Sequence, residues 1–421
     1  MPTTSQNSTL DEKPLSARQG DNVPDGGFQA WATVAGSFLL MFCGLGYSTS
    51  FGVYQDFYVR EYLLHSSPSA ISWIGSINLV IIFAGGIIAG RLHDRGYFYP
   101  LIYCGSLLMS ISLFCLSLAR ANQFYQVLLA QGIANGIGTA MTYVPSIAVI
   151  SHHFEKRRAL AMILVSSGAS LGSVFHPLML NKMLQNPRLG FGHATRINAG
   201  LISGLLLLAC CLMRTRLPPP AKHLPWIPTL RRFVHDAPYV FAAAGWGFLN
   251  IGLYYPLFYL QLDSTKHGID PMFSFYVLVI TNASSFVGRL CPTLVSRRWG
   301  IQIIFTVAVG CASVPVFSMV CIHDIASIVT IGALCGFFAG FIFALTGPLV
   351  SVLTNDMSEL AMTFAGLGAL IGPPIDGLLL TEEFIWWKPA VFSGVMVLAS
   401  FGCFLGMIFS HRRNAVDLVS Q

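Results

Sequence analysis

The stretch Ala70–Gly90, AISWIGSINLVIIFAGGIIAG, decides the class of this protein. It carries no charge over about twenty residues, which as α-helix extend about 30 Å, the thickness of a bilayer's hydrocarbon core. Runs of the same kind recur near Ala30–Tyr54, Phe98–Ala119, Phe124–Ile150, Ala159–Leu180 and Ile197–Met213. After an interruption they return near Pro238–Leu262, Phe273–Val295, Ile301–Ile322, Ile325–Val350, Leu360–Leu380 and Pro389–Ser410. Of the 421 residues 54% are hydrophobic and 10% charged, and the mean hydropathy is +0.65. A soluble chain is about 25% charged, so a soluble multidomain enzyme is excluded. The solvent is lipid, and the expected fold is an all-α membrane protein of twelve transmembrane helices in two six-helix halves.

The interruption sets the organisation. Residues 214–237 are more polar and contain Pro218, Pro219, Pro220, Pro225 and Pro228, a composition that resists helix and favours an extended linker. The predicted arrangement is a polar, disordered tail (1–27), a first half (28–213), the linker (214–237), a second half (238–410) and a short tail (411–421). With the N-terminus inside, the basic clusters Arg91/Arg95, Lys156–Arg158, Arg214/Arg216, Arg231/Arg232, Arg297/Arg298 and Arg412/Arg413 all fall on the inner face. Single cations such as Arg60, Arg120, Lys182 and Lys388 fall outside. The positive-inside bias therefore predicts both termini in the cytoplasm. The net charge of +6 is explained by topology, not by a nucleic-acid-binding face. All ten cysteines lie in apolar runs without C-x-x-C spacing and read as packing residues. The sequons at Asn7 and Asn282 would lie in the cytoplasm and in a span, so neither is a glycosylation site.

Glycines recur four apart at Gly86/Gly90, Gly132/Gly136, Gly168/Gly172 and Gly332/Gly336/Gly340, a spacing that lets helix backbones approach closely in lipid. The run Gly366–Gly372 has the wrong spacing for a dinucleotide loop, and no strand precedes it. Between the second and third spans stands Gly90-Arg91-Leu92-His93-Asp94-Arg95-Gly96. It resembles the G-x-x-x-D-R signature of the major facilitator superfamily, in which Asp94 and Arg95 would act as a gating latch; the alternative is an ordinary surface ion pair. The second half keeps a degraded copy, Pro292–Gly300, with Ser296 where a carboxylate would fall and Arg297 retained. Asp25-Gly26-Gly27-Phe28-Gln29-Ala30-Trp31 and Phe154-Glu155-Lys156-Arg157-Arg158-Ala159-Leu160-Ala161 are similar to the two signatures of monocarboxylate transporter-like proteins, in the fungal form. Together with Gly372-Pro373-Pro374-Ile375, this resemblance covers nearly the whole chain beyond its tail. It implies the major facilitator fold and alternating-access transport of a small organic solute.

An ionisable residue within a span is a functional hypothesis by default. Arg289 in the eighth span matches the arginine that pairs with carboxylate substrates in that family; the alternative is a side chain that snorkels to the inner interface. The acidic partner that animal members place one turn earlier is Ser285 here, and their first-span lysine is replaced by Ser48-Thr49-Ser50. Tyr47, Tyr143, Asn250 and Asn282 are further candidate substrate-binding residues. His176 and Asp376 are candidates for a coupling proton, each set against a structural role. His152-His153 lacks metal-ligand company and reads as a loop end. No metal, cofactor, nucleic-acid or catalytic motif is present in the sequence. The expected function is secondary transport of a carboxylate or an amphiphilic metabolite across a fungal plasma membrane or an endomembrane, with the membrane lipid as its surroundings. Uptake and export of a secondary metabolite both fit, and a non-transporting solute sensor on the same fold is the alternative.

Overall fold

The computed structural model describes residues 25–184, 186, 188–216, 236–292, 300–353, 358–381 and 385–419. Twelve helical segments follow one another: α1 (Phe28–Tyr62), α2 (Pro68–Asp94), α3 (Phe98–Leu116), α4 (Phe124–His152), α5 (Arg158–Leu184) and α6 (Gly190–Leu212), then α7 (Ala237–Lys266), α8 (Pro271–Leu290), α9 (Ile301–Ser318), α10 (Ile325–Leu353), α11 (Ser358–Leu380) and α12 (Trp387–Val419). Among the described residues there is no strand, and ten of these segments are long and apolar enough to cross a membrane. Most of the linker, the N-terminal tail to residue 24 and the second-half turn with Ser296 and Arg297 lie outside the described residues.

Several helices run past their apolar stretches, α1, α7 and α12 among them. The first apolar run stops at Tyr54, yet α1 continues to Tyr62 because its charges are satisfied within the bundle. Arg60 donates to both carboxylate oxygens of Asp56, four residues earlier, from Nε at 2.8 Å and from Nη2 at 2.6 Å. Gln261 Nε2 on α7 donates to the same carboxylate at 2.9 Å. At the end of α7, Asp263 is fully buried, with His267 Nδ1 at 2.8 Å from its carboxylate. The last helix continues beyond Ser410 to Val419. The α2 C-terminus explains the glycine of its signature: Gly96 takes φ +90° and donates to the His93 carbonyl, while Tyr97 donates to that of Leu92. This pair of bonds is the Schellman closure, which needs a left-handed residue at that place.

Helices of the first half meet those of the second in three pairs: α2 with α11, α5 with α8, and α1 with α7. The end carrying the α1–α2 turn is tightly joined. There Ser69 Oγ donates to the Pro374 carbonyl at 2.8 Å, Tyr259 OH to that of Pro373 at 3.0 Å, and the Phe51 and Phe258 rings lie 5.1 Å apart. Within the second half α8 packs on α10 through the spaced glycines: a Cβ on Gly336 or Gly340 would collide with the Thr281 and Ser285 carbonyl oxygens. Small residues at such crossings let backbones touch.

The two signature stretches near Asp25 and Phe154 come together at the opposite end. The Asp25 carboxylate accepts the Glu155 and Lys156 backbone N–H groups, both at 2.8 Å, so it caps the entry to α5 from a remote part of the chain. Gly27 at φ +98° turns the chain from that cap into α1, and the Trp31 and Phe154 rings meet edge to face at 5.1 Å. The Glu155 amide, with those of Arg157 and Lys156, holds the Asp25 carboxyl below the usual carboxylate range. A depressed folded-state value stabilises the fold above the unfolded value and stops doing so as pH falls through the folded one. Asp25→Ala is therefore expected to lower the melting temperature in detergent near neutral pH. The difference from wild type should close as the pH drops below the carboxylate range, and a pH-independent difference would reject the cap.

Candidate functional site

Arg289 sits in the last turn of α8 and reaches across to the other half. Its side chain is buried, with the residue 8% exposed, and Nη1 donates to the Ser166 carbonyl of α5 at 2.8 Å. Its guanidinium lies 5.9 Å from the Phe343 ring centroid on α10, within cation–π range, and within electrostatic reach of the Tyr143 and Tyr254 phenols. Nε has no hydrogen-bond partner, and among the described residues no carboxylate lies within ion-pair distance. A buried cation without a counter-ion is strongly disfavoured. Asn282 lies two turns earlier on the same face of α8, buried, with Nδ2 unpartnered. Ser285, where an acidic partner would fall, has its backbone against Gly340 of α10.

The other proposed residues fall in different places. Asn250 donates from Nδ2 to the Trp246 carbonyl, packs against Gly368 of α11 and keeps Oδ1 unpartnered. Tyr47 belongs to a buried polar chain within the first half. Tyr58 OH donates to Gln131 Oε1 at 2.7 Å, Gln131 Nε2 to Tyr47 OH at 3.3 Å, and Tyr47 OH to Tyr54 OH at 2.9 Å. Beside this chain, His176 Nδ1 lies 3.2 Å from Asn198 Oδ1 and its Nε2 3.2 Å from the Phe42 carbonyl oxygen. His176 thus ties α5 to α6 and α1. Thr49, in the stretch that replaces the first-span lysine, hydrogen-bonds Ser173 of α5. Asp376 is fully buried and accepts from Ser393 Oγ at 2.8 Å. Asp94 and Arg95 are exposed at the end of α2. His152 and His153 join the α4–α5 turn to the start of the linker, through Thr215 Oγ1 at 3.0 Å and the Arg214 carbonyl at 2.8 Å.

Sequence reasoning missed the Asp56–Arg60–Gln261 cluster and the Ser166 carbonyl. The i,i+4 spacing of Asp56 and Arg60 was a readable signal for the pair; a backbone carbonyl 123 residues from Arg289 left none.

Known proteins resemble the chain along most of its length. Residues 36–361 match the family model of the Major Facilitator Superfamily. The aspyridones efflux protein apdF of Emericella nidulans is 35% identical over 91% of this chain and 79% of its own length. The fujikurins efflux protein of Gibberella fujikuroi is 34% identical over 96% and 89%, and the agnestins efflux protein AgnL12 of Paecilomyces divaricatus 33% over 90% and 86%. Among solved structures, a mutant of the nucleoside transporter NupG superposes with a TM-score of 0.67 at 15% identity, covering 90% of this chain and 99% of that one, which shows the shared fold. By the extent of the family match and of these relatives, the chain belongs to the Major Facilitator Superfamily and is a multi-pass membrane protein, a secondary transporter and not an enzyme.

Proposed function

We propose that the chain exports an amphiphilic, anionic secondary metabolite by alternating access across the plasma membrane, with both termini cytoplasmic. The observation that carries the substrate charge is Arg289, a buried guanidinium between the halves with a free Nε and no carboxylate partner among the described residues. Export is favoured by the printed names of the three relatives, each an efflux protein. Arg289 grips the anion, Asn282 offers a second donor from the same helix face, and Tyr143, Tyr254 and Phe343 supply aromatic walls for an apolar body. The resemblance of the two stretches near Asp25 and Phe154 to the signatures of monocarboxylate transporter-like proteins supports the monocarboxylate-porter branch of the superfamily, and a six-plus-six division with the linker at 214–237 agrees with it. The basic clusters put the α1–α2 end outside. An inward proton gradient drives export. An expression host challenged with aspyridones, fujikurins and agnestins tests the reading: cells carrying the chain should retain less of at least one of these than vector controls, and equal retention of all three would count against export of this class.

Asp94 and Arg95 serve as the latch that biases the rocking of the halves without touching solute. Asp94→Asn is therefore expected to lower the turnover rate several-fold while leaving solute affinity within about twofold, since a gate contributes to the conformational equilibrium and not to the contact. Initial rates against solute concentration, normalised to surface protein, check this; a loss of affinity with unchanged maximal rate would place Asp94 in the binding site instead.

A further inference from the structure

Asp376 is, among the described residues, a buried acid with no cation beside it. Asp56 is matched by Arg60 and Gln261, and Asp263 has His267 Nδ1 at ion-pair distance, 2.8 Å. Asp376 has a single donor, Ser393 Oγ of α12, on Oδ1; Oδ2 has no partner, and among the described residues no cation lies within ion-pair distance. From α7 the Tyr255 and Tyr259 phenols lie within electrostatic reach of it, and from α2 Ser69 packs on the same turn of α11. None of these can carry a positive charge. An ionised carboxylate enclosed with one neutral donor is strongly disfavoured, whereas a neutral carboxylic acid is tolerated.

The turn that seats Asp376 is also the seam between the halves. Two and three residues before it, the Pro374 and Pro373 carbonyls accept from Ser69 of α2 and Tyr259 of α7. The next residue, Gly377, lies so close to the Ser69 backbone and the Tyr259 hydroxyl that a Cβ would stand 2.7 and 2.6 Å from them. Moving α11 off α2 therefore opens the seam and lets water reach the carboxyl.

We propose that Asp376 is a proton-binding site whose occupancy controls closure of the outer end. Its carboxylate takes one proton from external water before α11 closes on α2, and the carboxylic acid returns it to water when the seam opens. External acidity thereby favours the closing step of the cycle. Which face is outer rests on the orientation proposed above from the basic clusters; the proton site itself does not.

The test uses the full chain in lipid nanodiscs without solute. Acid-minus-alkaline infrared difference spectra of wild type should contain a carboxylic C=O band, beyond those of Asp263 and the surface carboxyls, that disappears as pH rises. Amide exchange at the start of α2 should accelerate over the same range by more than base catalysis alone. Asp376→Asn should lack the band and keep the seam protected at every pH. Ser393→Ala should keep the band but lose it at higher pH, because a donor that favours the ionised form is gone. Wild-type and Asp376→Asn difference spectra that superimpose in the carboxylic C=O region overturn the proposal. Should the asparagine variant fail to fold, an unchanged midpoint in Ser393→Ala overturns it equally. Neither readout involves solute, so failure here leaves export standing, and an intact band without transport would do the reverse.

Discussion

Arg289→Ala is expected to abolish high-affinity solute binding. Removing one partner of a buried, hydrogen-bonded charge pair costs about 2–5 kcal/mol, and with tenfold in affinity for each ~1.4 kcal/mol the loss should be at least about thirtyfold. Arg289→Lys separates two roles. Lysine keeps the charge but loses the planar fork that holds a carboxylate through two bonds, so affinity should still fall about tenfold. It would also leave the Ser166 carbonyl without its present donor. Solute affinity measured on purified variants, alongside thermal unfolding to exclude misfolding, decides the matter. A lysine variant as good as wild type would remove the fork from the site, and an alanine variant as good would remove the charge and point to a neutral substrate.

The largest loss of folded protein is expected at Gly336. Any side chain there meets the Thr281 carbonyl of α8 head-on, and backbone yields less readily than a side-chain tip. Overpacking a well-filled core costs about 1–3 kcal/mol; Gly336→Val should reach or exceed the upper part of that range by forcing α8 and α10 apart. Since Arg289 rides on α8, the same change should displace the site. Gly204→Ala on α6, where nothing lies within 4 Å of an added Cβ, is the control. It should be neutral or stabilising by about 1 kcal/mol, the helix-propensity gain of alanine over glycine. Monodispersity in detergent and the melting temperature read out both, and a Gly336→Val protein as stable as the control would refute the close crossing.

The fold was legible because lipid leaves few choices: an apolar run of about twenty residues has to satisfy its own backbone, and helix does so. Where polar residues interrupt a run, the pattern loses the helix although the structure does not. Asp56 and Arg60 close the first apolar run, yet they pair with each other and with Gln261 of the opposite half, so the helix goes on to Tyr62. Gly336 and Gly340 could be read as a packing face from their spacing, but Thr281 and Ser285 as their neighbours could not. For the candidate site, Arg289 announces itself as a charge in a span. The nearness of Tyr143, Tyr254, Phe343 and the Ser166 carbonyl depends on how helices of both halves cross, which no local pattern encodes. His176 shows the converse: the residue type is conspicuous in a span, and only the structure reveals that both ring nitrogens already have neighbours, at Asn198 and Phe42.

Solute exchange across a bilayer tests the central claim most directly. The purified chain in proteoliposomes, preloaded in turn with a panel of amphiphilic carboxylic and enolic acids and their neutral esters, should exchange at least one acid with external label. The ester of that acid should exchange poorly, and Arg289→Ala should lose the exchange. An acid that raises the melting temperature of the protein yet shows no exchange would contradict transport and leave a sensor, and esters exchanged as fast as acids in wild type and Arg289→Ala alike would contradict the anionic site.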